Sequence, residues 1–166
     1  GGGIGHYYVL AQALMPDLEI EYHCKEVDVL AQRGAELLPD QVFYSDERCL
    51  DRSYDFVMAS ASFHYSRDWR GLLNGLAKAT ASYLLITRLP TTPRGESFVF
   101  VQRAYDWDYN TEYLGWCLSP DELLAAAAEA GLTLVREFVL EEVALIQGAG
   151  PCPYRAYLFA AQDAGD

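Results

Sequence analysis

Hydrophobic positions along this chain switch repeatedly between helical spacing and short strand-like runs. Tyr7, Leu10, Ala11 and Leu14 recur at i, i+3, i+4 and i+7, which predicts a helix directly after the glycines at its start. Pro16 and Asp17 close it. A short strand follows within Leu18 to Val27, with Ile20 and Tyr22 on one side. A second helix places Val27, Leu30, Ala31 and Leu38 on one face and stops at Pro39 and Asp40, before a strand at Val42 to Tyr44. The clearest strand is YDFVMA, Tyr54 to Ala59. Its continuous apolar run predicts burial on both faces, as in a parallel sheet. A helix from Asp68 to Lys78 turns Leu72, Leu73 and Leu76 inward, and YLLIT, Tyr83 to Thr87, is a second buried strand.

Residues 89–118 break this rhythm with Pro90, Pro93 and Gly95, a strand-like SFVFVQR patch and an aromatic stretch. Thirty structureless residues are uncommon inside a compact domain. The segment is expected to be an insertion with structure of its own, folded over one end of the sheet as a lid. SPDE then starts a helix, with Ser119 as cap, Pro120 in the first turn and Glu122 completing a capping box. Gly131 ends it. Strands around Leu132 to Leu140 and Tyr154 to Ala160 close the chain, joined through Gly148, Gly150, Pro151 and Pro153. The order of elements predicts one α/β domain over residues 1–166, its sheet mostly parallel with an antiparallel region at the C-terminal end.

Composition narrows the partners. Hydrophobic residues make up 51% and charged residues 22%, a balance that fills a core. Against 24 acidic side chains stand 12 basic ones, so the formal charge is −12 and both nucleic acid and an anionic membrane surface are poor partners. No apolar run approaches the ~20 residues that span a bilayer, and no signal-peptide pattern is present. Cys24, Cys49, Cys117 and Cys152 form no C-x-x-C pair, and His6, His23 and His64 add no ligand spacing to them. Free thiols in a reducing cytoplasm, with neither a zinc site nor a disulfide framework, are the expectation.

The most informative chemistry is GGGIG at Gly1 to Gly5, followed at once by a helix. Glycines permit positive φ and close approach of a ligand, and the N–H groups of a helix start favour an anionic group. A flexible terminus or tag remnant would look the same in isolation. Glu26, about twenty residues on and at the end of the next strand, stands where an acidic residue meets ribose hydroxyls in a nucleotide-binding βαβ unit. Asp28 is an alternative for that contact, and a solvated surface glutamate is the plainer reading. The dinucleotide fingerprint G-x-G-x-x-G needs a third glycine where this chain has His6 or Tyr8, so a nucleoside ligand smaller than NAD is indicated.

Taken together, GGGIG before a helix, Glu26 after the second strand, Asp46 after the third, YDFVMASASFHY at the fourth and SPDELLAAAAEAGL before a closing strand pair resemble a class I S-adenosylmethionine (SAM)-dependent methyltransferase. The GGG loop, the S-x-x-x-H-Y segment and the YLLITRLP…GESFVFVQR run resemble a bacterial group associated with cell-surface polysaccharide genes. This resemblance implies a Rossmann-like sheet with helices on both faces, and a first strand, ending in an acidic residue, that is missing ahead of Gly1. Also implied is SAM as cofactor, with Gly1, Gly3 and Gly5 along the methionine and ribose. Glu26 would hold the ribose hydroxyls, Ser45 and Asp46 would flank the adenine, and Ala59 and Ser60 would lie beneath the cofactor. The acceptor would be a small or sugar-derived molecule.

Methyl transfer to oxygen or nitrogen often needs a base, and His64, following the fourth strand, suits that task near neutrality. It would equally serve to fix its loop by bonding a backbone carbonyl. Arg88, at the end of the fifth strand, is placed either to clamp an acceptor carboxylate or phosphate, or to pair with one of the many acidic residues. Tyr65 is expected to pack or to orient an acceptor hydroxyl. Tyr105, Trp107, Tyr109, Tyr113 and Trp116 would either stack on an acceptor, Tyr109 and Trp116 foremost, or anchor the insertion. A nicotinamide-dependent oxidoreductase and a nucleotide-binding module without catalysis are the competing functions.

Overall fold

The computed structural model of the chain describes residues 2–93, 95–105 and 110–162, so Gly1, Trp107 and Tyr109 lie outside the described residues. The chain forms two compact units, Gly1–Arg52 and Ser53–Asp166.

The first unit holds α1 (His6–Leu14), β1 (His23–Lys25), α2 (Asp28–Leu37) and β2 (Val42–Tyr44). Gly3 and Gly5 take φ of 61° and 100°, and Gly5 caps α1 from that left-handed conformation. β1 and β2 pair in parallel, Cys24 opposite Phe43. The strand expected over Leu18 to Val27 shrinks to three residues. The Tyr22 N–H is diverted to the side-chain oxygen of Gln41 at 3.0 Å, so the ladder begins only beyond it. α2 meets β2 through Gly34, where an added methyl would land on the Phe43 ring. The face of α1 predicted to point inward is not buried: Leu10 and Leu14 are exposed, since two three-residue strands offer little cover and α2 uses it.

The second unit carries β3 (Tyr54–Ser60), α3 (Trp69–Lys78), β4 (Thr80–Pro90), β5 (Phe98–Arg103), β6 (Glu112–Cys117), α4 (Pro120–Glu129), β7 (Leu132–Ile146) and β8 (Gly150–Ala161). Its central sheet has the order β3-β4-β8-β7. β3 and β4 are parallel, while β8 is antiparallel to both of its neighbours and so runs against the other three. The single sheet expected from the sequence is thus three among the described residues: β1-β2, the central four strands, and β5-β6. Leu84, Ile86, Leu89, Tyr157 and Phe159 of the central strands are fully buried, as are Leu73 of α3 and Leu123 of α4. β3 is an edge strand of this sheet. Only its last residues, Ala59 and Ser60, are buried, and Phe56 is exposed, contrary to burial on both faces.

Local chemistry explains the helix starts. Asp68 caps α3 by accepting from the Gly71 N–H at 2.9 Å, and Gly71 lacks the side chain that would obstruct the carboxylate. α4 departs from the expected capping box. The Ser119 side chain makes no cap bond, and Glu122 does not fold back onto it. Instead, Ser97, just ahead of β5, completes the box from a distance. Its hydroxyl accepts from the Ser119 N–H at 2.8 Å, and its N–H donates to Glu122 Oε1 at 2.8 Å. Glu122 also meets Arg70 of α3 at 3.2 Å.

Residues 89–118 contain a β-hairpin. β5 and β6 pair antiparallel, Phe100 opposite Gly115 and Gln102 opposite Tyr113. Its base is stitched to the central sheet, where Leu118 N–H donates to Pro90 O and Thr92 N–H to Leu118 O. β7 and β8 are longer than predicted and turn at 147–149, with Gly148 at φ 90° and Gly150 at 81°. Among the described residues no helix is long and apolar enough to cross a membrane.

Candidate functional site

The parallel pairing of β3 with β4 ends at Ser60 opposite Thr87, and β4 runs on to Pro90 beside β8. The next residue on each strand, Ala61 and Arg88, is a non-glycine at positive φ, 49° and 55°. The Ala61 N–H donates to the carbonyl of Thr87, the residue before Arg88, at 3.0 Å. An L-residue in this region costs roughly 1–2 kcal/mol. Such strain concentrates at functional sites, and ligands of open α/β sheets bind beyond the carboxyl ends of parallel strands. Sequence reasoning passed over Ala61, because nothing in its identity marks a strained turn.

Arg88 sits within a register break of β4 against β8, between Ile86 and Leu89. A second break, in β7 between Val139 and Val143, contains Glu142. Arg88 Nη2 donates to both Glu142 oxygens, at 2.9 and 3.0 Å. The acidic-partner reading of Arg88 therefore describes its present contact. Both side chains are half exposed, and such a pair contributes only about 0–1 kcal/mol. That is less than the backbone cost at residue 88, which glycine would remove. The ion pair alone does not account for an arginine here.

His64 lies in a short 3-10 helix, Phe63–Tyr65, that follows β3. Phe63 packs edge-on against Trp69 of α3 at 6.3 Å and anchors the turn. His64 is 3% exposed, and its Nδ1 has no hydrogen-bond partner among the described residues. Burial pushes its pKa down to about 4, so the imidazole is neutral at physiological pH. A loop-fixing bond through Nδ1 is not made.

One face of the hairpin covers this turn. By strand alternation Phe100, Gln102, Tyr113 and Gly115 share that face. Tyr65 donates its hydroxyl to Gln102 Oε1 at 2.8 Å, and its ring lies 4.0 Å from that of His64 and 6.0 Å from that of Tyr113. A methyl on Gly115 would stand 3.4 Å from His64 Cδ2 and 3.2 Å from Phe100 Cζ, so glycine is what lets the strand lie this close. Trp116, one residue on, is half-buried on the opposite face of the hairpin. Tyr105 is engaged by Glu112 at 2.6 Å, away from the turn. Tyr154 of β8 is half-buried, its phenol pKa raised by burial and by the nearby Glu142 carboxylate, with Arg88 opposing. Gln102, Gly115, Glu142 and Tyr154 carry no recognisable signal in the sequence.

In the first unit, Glu26 is fixed beside the glycine loop. Its Oε1 accepts from the Gly3 N–H at 2.8 Å, while Oε2 has only a long contact, 3.3 Å, from the Val27 N–H. Asp46 is turned onto Arg48, accepting from its backbone N–H at 3.0 Å and from its guanidinium at 2.8 Å. These bonds hold the Asp46 carboxyl below the usual range. Ser45 beside it is exposed. Gly1 lies outside the described residues.

No protein-family model matches the sequence, and no curated protein does. Solved structures match its fold. Magnesium protoporphyrin IX methyltransferase from Synechocystis PCC 6803, with bound SAM, aligns with a TM-score of 0.65 and 12% identity over 97% of this chain and 67% of its own. A SAM-dependent methyltransferase from Methanosarcina mazei gives 0.64 and 11% over 97% of this chain and 89% of its own. A LepI variant in complex with S-adenosylhomocysteine (SAH) and a substrate analogue gives 0.61 and 16% over 98% of this chain. This chain spans 41% of that LepI chain. The mixed α/β fold of this protein is the fold of solved SAM-dependent methyltransferases.

Proposed function

We propose that the protein is a SAM-dependent methyltransferase acting on a small acceptor, with the sugar-derived class favoured by the sequence resemblance. The observation that carries this reading is the strained pair Ala61 and Arg88, where the parallel pairing of β3 and β4 ends, followed by a buried neutral His64 whose Nδ1 has no partner among the described residues. Solved proteins of this fold bind SAM or SAH, which supports the choice of cofactor.

The first unit suits that cofactor. Gly3 and Gly5 hold left-handed conformations, with His6 packed against Gly3 and Leu38 and Phe43 against Gly5, and Glu26 presents Oε2 without a short bond of its own. Gly1, Gly3 and Gly5 would line the methionine and ribose, and Glu26 would take the ribose hydroxyls. An adenine contact by Asp46, with Ser45 beside it, requires Arg48 to move aside. The sequence resemblance also implies a cofactor-floor role for Ala59 and Ser60, both buried at the end of β3. SAM supplies a methyl group on a sulfonium centre. His64, held neutral and weakly basic by burial, accepts a hydrogen bond from the acceptor. Arg88 and Tyr65 orient the acceptor. The hairpin within residues 89–118 excludes water as a lid, with Trp116 anchoring its far face and Tyr109 assigned to the acceptor. Residues 1–166 act as one methyltransferase domain. A cytoplasmic setting belongs to the same reading.

Calorimetric titration of SAH and, separately, NADH into the protein tests this. Saturable binding of SAH alone is the expected result. Binding of NADH alone would transfer the protein to the oxidoreductases, and binding of neither would remove the nucleotide reading altogether.

A further inference from the structure

The proposal here rests on the methyl-transfer reading for its purpose and on the geometry of the second unit for its content. Arg88 combines three features that its contact with Glu142 leaves unexplained. It stands at positive φ where glycine would fit without strain. Its strand breaks register there, and β7 breaks register where Glu142 leaves it to reach the guanidinium. Both partners nevertheless remain half exposed, so water and solutes compete for either of them. Two irregularities in two strands deliver one carboxylate to one guanidinium at the edge where the parallel strands end.

The surroundings supply a ring-binding wall. Tyr65 and Tyr113 are 41% and 42% exposed, with ring planes inclined at 52°. Gln102 fixes the Tyr65 hydroxyl, so that ring is held in place before any ligand arrives. The turn that carries Tyr65 begins just after Ala61, whose N–H is bonded to the carbonyl of Thr87 next to Arg88, so the wall and the ion pair flank the same stretch of β4. Tyrosine faces stack on flat aromatic rings and on the C–H faces of sugar rings alike. A guanidinium fork matches a carboxylate bidentately.

We propose that the acceptor is a ring-bearing carboxylic acid whose carboxylate replaces Glu142 on Arg88 while its ring rests on Tyr65 and Tyr113. Glu142 holds the guanidinium in place until the acceptor arrives and competes with it afterwards. A chain of net charge −12 gives an anion no long-range attraction, so selection for acids has to be local, at Arg88.

The test uses no cofactor, and so fails or succeeds independently of the SAH titration. Two matched pairs of probes are titrated into the protein by calorimetry: 4-hydroxybenzoate with 4-hydroxybenzamide, and glucuronate with glucose. Wild type should prefer the acid within at least one pair, and which pair shows this separates an aromatic from a sugar acid. Glu142→Gln removes the competing carboxylate and should tighten the preferred acid about fivefold, leaving its neutral partner unchanged. Arg88→Gly deletes the guanidinium while easing the backbone, so the variant folds and its loss of acid preference reports the side chain. Tyr113→Leu should weaken acid and neutral probe equally. Equal binding within both pairs, no binding of any probe, or no gain in Glu142→Gln would each overturn the proposal.

Discussion

His64 should leave a mark on stability that no carboxylate among the described residues imitates. Its imidazole is 3% exposed, its Nδ1 is unpartnered, and burial lowers its pKa from 6.5 to about 4. The folded state therefore resists protonation that the unfolded chain accepts near pH 6.5. Stability is complete above that value, falls as pH drops towards 4, and levels off below. The full span of about 2.5 pH units corresponds to about 3 kcal/mol at 1.36 kcal/mol per unit, of which about 2 kcal/mol is lost by pH 5. Carboxylates held below their usual range, such as Glu112 and Glu122, act only at lower pH, so the window from 7 to 5 isolates the imidazole. Urea unfolding, followed by the fluorescence of buried Trp69 beside Phe63, measures the slope. His64→Leu provides the control, since it removes the titrating group and breaks no hydrogen bond at Nδ1. It should match or exceed wild-type stability near neutrality and flatten the profile. Equal slopes in wild type and His64→Leu between pH 7 and 5 would refute the reasoning.

Gly115→Ala would gain about 0.4–1 kcal/mol from a stiffer unfolded chain but lose about 1–3 kcal/mol from crowding Phe100 and His64, for a net loss near 1 kcal/mol. Thermal melting checks that figure, and NMR titration should show the His64 pKa rising towards 6.5 as the hairpin lifts. Ser97→Ala removes the acceptor of the Ser119 N–H while keeping the N–H that Glu122 holds, so a loss of about 1 kcal/mol is expected. Faster hydrogen exchange at Ser119, with the central sheet unchanged, is the matching local readout.

The elements that periodicity specifies were legible. α1, α2, α3 and α4 begin and end within a residue or two of the breakers and caps that announce them. β2 and β3 lie where their apolar runs place them. Pairing between strands was less legible. A continuous apolar run such as YDFVMA records a preference for burial but not the number of neighbours a strand obtains, and β3 has one in its sheet. The Ser-Pro-Asp-Glu start failed as a local box because Ser97, more than twenty residues away, competes better for both partners. The hairpin's aromatics were equally ambiguous. Tyr113 and Trp116 read alike in sequence, yet alternation sends only Tyr113 to the face over His64.

Glycine is the usual sequence marker for a chain that must adopt positive φ, and it correctly points to Gly3 and Gly5. That marker fails where a left-handed residue also needs its side chain. Arg88 is such a position: glycine would satisfy the backbone and forfeit the guanidinium, so the chain retains a strained arginine at the register break of β4. Ala61 is the informative contrast. It has the same conformation just after the adjoining strand but carries only a methyl group, so Ala61→Gly relieves strain and removes no functional atom. The two strained residues therefore separate a site's geometry from its chemistry. Relief at 61 should stabilise the protein and preserve ligand recognition, whereas relief at 88 should abolish recognition whatever it does to stability.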